Sequence, residues 1–125
     1  MNVVDSSAWL EYFAGGPNAG EFASAIRDSG ALVVPSITLF EVFKRVRVQR
    51  DVESALRAVS QMKRGQVVDL GADLAVAAAE LSAEARLPLA DSVILATARA
   101  ADATLWTQDS HFEGLAGVEY RAHRG

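Results

Sequence analysis

The sequence predicts an α/β fold, a three-layer α/β/α sandwich around a mainly parallel central sheet. Three observations carry this expectation. Short β-branched or apolar runs, such as Val3-Val4, Ala31-Leu32-Val33-Val34 and Thr104-Leu105-Trp106-Thr107, alternate with longer helical patterns, as βαβ units do. The chain has 125 residues, 50% of them apolar, which suits a single domain spanning 1–125 with one core. Four carboxylates (Asp5, Glu41, Asp91 and Asp109) follow or sit close to apolar runs. If those runs are parallel strands, the acids gather at the edge of the sheet where open α/β folds bind ligands.

Each element has a local reason. Asn2-Val3-Val4 forms the first strand, and a helix over Ser7–Phe13 stops before Gly15-Gly16-Pro17. A second helix covers Ala19–Asp28, with Gly30 suited to a left-handed terminating position. Ala31–Val34 makes the second strand, stopped by Pro35. Ser36 is placed to cap a helix carrying Leu39, Val42, Phe43 and Val46 at helical spacing. Val52–Met62 is the next helix, ended by Gly65, and Gln66–Asp69 the third strand. An alanine-rich helix runs to Ala85, the chain breaks at Leu87-Pro88, and a helix beginning at Asp91 runs to about Ala101. Thr104–Thr107 is the fourth strand and Val118–Tyr120 a fifth. Parallel strands need crossover connections of this length.

Composition narrows the chemistry. Cysteine is missing, so disulfides and thiolate metal sites are excluded. Only His111 and His123 supply imidazole, so a metal site must be mainly oxygen-based, favouring Mg²⁺ or Mn²⁺ over Zn²⁺. The start, Met1–Asp5, shows no basic or long apolar segment, so no signal peptide is expected. The alanine-rich stretch contains Asp73, Glu80 and Glu84, which argues against a membrane span. A cytoplasmic protein is the expectation. Mean hydropathy is +0.14, consistent with apolar surface used in association. The net charge of −4 hides an asymmetry: the window Lys44–Arg64 holds seven basic and two acidic residues, a net of +5 against −9 elsewhere. That window reads either as a solvated helical hairpin or as a contact surface for a polyanion or acidic partner.

Each acid also has an ordinary explanation. Asp5 precedes Ser6-Ser7 as an N-cap would. Glu41 stands four residues before Arg45, the spacing of a helical ion pair. Asp91 lies at a helix N-terminus, where the dipole favours an anion. Asp109 suits an Asx turn with Ser110-His111. Their joint position outweighs the separate accounts. Two carboxylates about 5 Å apart repel by roughly 3 kcal/mol at an effective dielectric of about 20, so four of them invite a divalent cation. Ser6 and Thr107 adjoin the acids and suit an orienting role. His111 lies two residues from Asp109 but reads more readily as a surface histidine. No nucleophile elbow and no glycine-rich phosphate loop is present.

Four segments in order carry a family resemblance: Val3-Val4-Asp5-Ser6-Ser7-Ala8-Trp9-Leu10-Glu11-Tyr12-Phe13, Pro35-Ser36-Ile37-Thr38-Leu39-Phe40-Glu41-Val42, Leu87-Pro88-Leu89-Ala90-Asp91-Ser92-Val93-Ile94-Leu95-Ala96-Thr97-Ala98, and Leu105-Trp106-Thr107-Gln108-Asp109-Ser110-His111-Phe112. With these the chain closely resembles, nearly end to end, the PIN-domain ribonucleases, specifically the VapC-type toxins of toxin–antitoxin pairs. The second motif departs from the family where Phe40 replaces a commonly small residue. The resemblance implies that Asp5, Glu41, Asp91 and Asp109 hold Mg²⁺ or Mn²⁺ and hydrolyse RNA of the tRNA or rRNA class with an activated water, leaving a 3′-hydroxyl and a 5′-phosphate. Either Glu41 or Asp109 takes the water's proton. Lys44, Arg45 and Arg47 follow Glu41 and are expected to hold flanking phosphates. A VapB-type antitoxin is the implied partner, seated on an apolar groove near Trp9, Phe40 and Phe43, and a homodimer is expected.

Two other readings compete. A phospho-receiver domain needs a lysine after a late strand, and the only lysines are Lys44 and Lys63. A nuclease-like module that binds RNA or a partner without catalysis is the alternative, set against by the four intact acids.

Overall fold

The computed structural model describes residues 1–124. Five strands form one sheet in the order β3-β2-β1-β4-β5, every neighbouring pair parallel. They are β1 (Asn2–Val4), β2 (Leu32–Pro35), β3 (Gln66–Val68), β4 (Thr104–Thr107) and β5 (Val118–Tyr120). The connections hold α1 (Ser6–Ala14), α2 (Ala19–Arg27), α3 (Ser36–Gln49), α4 (Val52–Met62), α5 (Ala72–Ala85) and α6 (Leu89–Ala100).

The side-chain period of a strand sorts the core into two layers. Val4, Leu32 and Val34 pack with Trp9, Phe22, Val42, Ala58 and Met62, so α1 to α4 cover one face. Val3, Val33 and Leu105 turn the other way, onto Ile94, Leu95 and Ala98 of α6, with α5 packed outside through Ala78. The three-layer sandwich expected from the sequence is the observed architecture. Every side chain from Asp91 to Ala98 is buried, because α6 lies between the sheet and α5. Among the described residues no helix is long and apolar enough to cross a membrane.

Some expected boundaries move. Gly30 lies in a short 3-10 turn, Ser29–Ala31, and not at a left-handed terminus. Gly15 takes that conformation instead, with φ of 64°, and closes α1. Ser36 is the first residue of α3 and makes no cap; Thr38 returns its hydroxyl to the Pro35 carbonyl at 2.7 Å. Gly65 follows the end of α4 because a Cβ there would stand 2.8 Å from the Leu32 carbonyl oxygen. Asp91 is the third residue of α6, not its start, since Leu89 begins the helix after Pro88.

Strand order reverses between β1 and β4. The chain moves outward from β1 through β2 to β3, then crosses the other face to β4. Such a switch point opens a crevice beyond the carboxyl ends of the two strands.

Candidate active site

The crevice is lined with acids. Asp5 leaves β1 directly at the N-cap position of α1, yet its side chain makes no cap bond. Its Oδ2 accepts the Ser7 hydroxyl at 2.6 Å and the Thr107 hydroxyl at 2.8 Å. Each hydroxyl then accepts a backbone N–H from the chain after β4: Gln108 to Ser7 at 3.3 Å, Asp109 to Thr107 at 2.9 Å. Asp5 is 3% exposed. Burial pushes its pKa up to about 6; the two hydroxyl bonds oppose that rise, and the charges of Asp91 and Asp109 add to it.

Asp91 sits in the first turn of α6, 9% exposed, where the helix dipole favours an anion. Its Oδ2 lies 2.8 Å from Nδ1 of His111, and that nitrogen is 3.4 Å from Oδ1 of Asp109. Burial raises the Asp91 pKa against the pull of this imidazole. The His111 pKa is raised in turn, first by its hydrogen bond to Asp91 and then by the two carboxylate charges. Asp109 caps a 3-10 turn, Ser110–Phe112, by accepting the His111 N–H at 2.9 Å. The buried Phe112 anchors that turn in the core. Asp91, Asp109 and His111 thus present one ligand atom each within 4.8 Å of one another.

Glu41 comes from α3. Its Oε1 accepts the Ser6 hydroxyl at 2.7 Å, which ties it to the residue beside Asp5. Among the described residues Glu41 makes no ion pair with Arg45. The structure therefore brings Asp5, Asp91 and Asp109 to one crevice and links Glu41 to it. Sequence reasoning undervalued His111, which is both a surface residue, with 56% of its side chain exposed, and a partner of two acids. Its spacing from Asp109 was the available signal. Ser7, not Ser6, is the serine that donates to Asp5, and the Asp-Ser-Ser run is the signal that offers both.

The expected phosphate ligands separate. Arg45 lines a mixed cleft with Ser7 and Gln108, whereas Lys44 and Arg47 line an apolar groove with Phe40 and Phe43 on the other side of α3. Trp9 is a core residue and lines neither of them.

A cation fits the donor set. Carboxylate oxygens and one imidazole are hard or borderline ligands, and no thiolate competes. Two of the acids are driven toward the protonated form by burial, a cost that a nearby cation removes.

Residues 3–118 match the family model described as the PIN domain, and the chain belongs to that family. No match emerges among curated protein sequences. Among solved structures, a chain of a toxin–antitoxin complex from Klebsiella pneumoniae is similar, at 23% identity and a TM-score of 0.80, over 95% of this chain and 96% of that one. The Mycobacterium tuberculosis toxin VapC20, described as cleaving the sarcin–ricin loop, is 17% identical, with a TM-score of 0.76 over 93% and 95% of the two chains. A VapBC2 complex from Rickettsia felis, bound to a DNA fragment from its promoter, gives 17% identity and a TM-score of 0.73 over 97% of each chain. At these identities the likeness is one of fold.

Proposed function

We propose that this PIN domain is the toxin of a toxin–antitoxin pair, a divalent-metal-dependent endoribonuclease acting in the cytoplasm as one domain over residues 1–125. The observation that carries the reading is the convergence of Asp5, Asp91, Asp109 and His111, with Glu41 tied in through Ser6, at the switch point of the sheet. The described cutting of the sarcin–ricin loop by the M. tuberculosis relative supports RNA as the substrate.

Asp5, Glu41, Asp91 and Asp109 would hold Mg²⁺ or Mn²⁺. When bound, the ion acidifies water and balances charge on phosphoryl oxygens. The protein's own groups do the rest. Ser7 and Thr107 spend their hydrogens on Asp5, which fixes that carboxylate and leaves its second oxygen free of these two hydroxyls. Ser6 holds Glu41 in the same way. Asp109, held by the turn it caps and beside the His111 imidazole, and Glu41, held by Ser6, are the two candidates to take the proton from water. Imidazole at His111 steadies Asp91 and, when protonated, offsets the crowding of negative charge.

The antitoxin is assigned to the apolar groove between α3 and α4. Leu39, Phe40, Phe43, Val48 and Val59 form its walls, with Lys44 and Arg47 on its rim. A partner segment with apolar side chains and flanking acids matches these walls and charges. The toxin–antitoxin complexes among the similar folds support a partner, and a homodimer accompanies it in this reading.

The test is end-mapping of RNA cut by purified protein with and without Mg²⁺. A 3′-hydroxyl and 5′-phosphate at each cut, lost in EDTA and in Asp91→Asn, are the expected result. Full cutting in EDTA, or by Asp91→Asn, would leave the carboxylates without the proposed role; no cutting by the wild type would favour a binding module.

A further inference from the structure

The basic window of the sequence faces two ways. α3 turns once every 3.6 residues, so Glu41, Arg45 and Gln49 lie along one side and Phe40, Lys44 and Arg47 along another. The first side borders a cleft of about 500 Å³, closed on the far side by α1 and below by α4. Arg50 and Arg57 line the same cleft, as does Gln61. Ser7 and Gln108 also line it, and Ser7 is the residue that donates to Asp5. Through Ser7 the cleft adjoins the acidic crevice.

Its charge is free to act. Among the described residues, Arg45, Arg50 and Arg57 make no ion pair with any carboxylate. Arg57 only touches the Ser54 hydroxyl, at 3.2 Å. One acid lines the cleft, Glu11, and it is occupied: it is buried and accepts the Asn18 N–H at 2.7 Å. Asp51 stands near Arg50 and Arg57 but is engaged in capping α4 through Ser54. Unpaired guanidiniums beside amide side chains recognise phosphate and ribose or base edges, and the apolar part of the lining, Leu10, Phe13 and Val46 among it, suits the faces of bases.

We infer that this cleft holds the single-stranded RNA flanking the scissile phosphate, with Arg45, Arg50 and Arg57 on successive phosphates leading away from the acids. The inference rests on the ribonuclease reading above and adds the path of the strand. Rise along α3 separates Arg45 from Glu41 by about 6 Å, one turn further from the crevice. The cleft volume lies in the range of sites that enclose small ligands, enough for part of a strand to enter. Lys44 and Arg47, although in the same basic window, lie off this path.

The test uses the full chain carrying Asp91→Asn, so that RNA is bound without being cut. Binding of a labelled single-stranded oligoribonucleotide of mixed sequence is followed by anisotropy across a salt series. Two pairs removing equal charge are compared, Arg45→Ala/Arg57→Ala and Lys44→Ala/Arg47→Ala. The first pair is expected to weaken binding by about tenfold or more and to flatten the salt slope by about 1.4, the value for two single-strand phosphate contacts. The second should lose clearly less. Arg45→Lys/Arg57→Lys keeps the charge and should restore the slope, which separates lost contacts from a disturbed fold. Equal losses in the two alanine pairs, or no loss in the first, overturn the cleft while leaving the nuclease reading intact. If the first pair keeps RNA affinity but no longer co-purifies with the antitoxin, the cleft is a protein seat and the inference fails. If the parent binds no RNA and the wild type cuts none, the nuclease reading itself falls.

Discussion

The acidic crevice and the α3–α4 hairpin depart from the ordinary inside-outside rule in opposite directions. At the crevice the fold withdraws water from carboxylates: Asp5 and Asp91 are buried, and each is pushed toward its protonated form by that burial. On the hairpin it leaves apolar groups in water: Phe40 is 65% exposed, with Val48, Val52 and Leu56 exposed nearby. Both regions are less stable than the chain could make them. The crevice is a deficit that a small cation offsets, whereas the hairpin's deficit needs another macromolecule. Comparing them separates the two functions assigned to this chain, chemistry and control.

The largest effect should come from Asp5→Asn. Cleavage is expected to fall by about 10²- to 10³-fold, as when a group that organises transition-state charge is removed. Stability should move the other way without metal. The folded pKa of about 6 lies above the ordinary carboxylate value of 3.8, so the folded protein holds this proton more tightly than the unfolded chain. Asp5 therefore contributes stability that is fully present below the unfolded value and is lost as pH rises through the folded one. That difference corresponds to roughly 3 kcal/mol at most. Thermal unfolding in EDTA should find Asp5→Asn more stable than wild type in mildly alkaline buffer, with the two curves converging in acid. A variant that unfolds earlier at high pH would mean that the carboxylate is not carrying the burial cost described.

A charged residue on the hairpin should sharpen the contrast. Phe40→Asp places an acid on an exposed site, so melting is expected to change little. Affinity for the antitoxin should fall by about 2 kcal/mol or more, the effect of losing an aromatic anchor at an interface. Calorimetric titration of the separated partners measures it. An unchanged dissociation constant would move the antitoxin off this groove. RNA cleavage by the free variant should exceed one-tenth of the wild-type rate, roughly, since Phe40 lies away from the arginine cleft.

These two regions were unequally legible before the fold was known. Asp5 and Asp109 were conspicuous because a carboxylate next to a β-branched run has few reasons to be there, and strand periodicity then places both at one edge. The same logic located Asp91, although the helix begins two residues earlier because Pro88 lacks the N–H that would extend it backward. His111 was harder to place, since its role depends on a 3-10 turn that the local pattern does not announce. The hairpin was legible as charge and not as geometry. A count of basic residues cannot say that Arg45 turns one way and Lys44 the other; that follows only once α3 is docked through Val42. Trp9 poses a related problem: on sequence alone a large aromatic near the site suits a core or a partner groove equally, and only packing decides for the core.

The smallest effect should come from Asp51, which starts α4 and so sets the register that presents Arg57 to the cleft. Its side chain accepts the Ser54 N–H at 2.7 Å, satisfying one of the orphan donors of the first turn. That bond is the main cause holding its pKa below the usual carboxylate value, with Arg57 and Arg50 adding to it. A lowered folded pKa means stability that is present above the unfolded value and lost as pH falls through the folded one. Asp51→Ala should therefore lower the melting temperature slightly at neutral pH, and the gap to wild type should close in acid. Asp51→Asn keeps a capping oxygen and should recover most of the loss. Solvent surrounds this group, so salt should reduce the part that comes from charge and leave the part that comes from the cap. A gap that persists unchanged in acid would show that the capping oxygen, and not the ionised charge, carries the contribution of Asp51 to the start of α4.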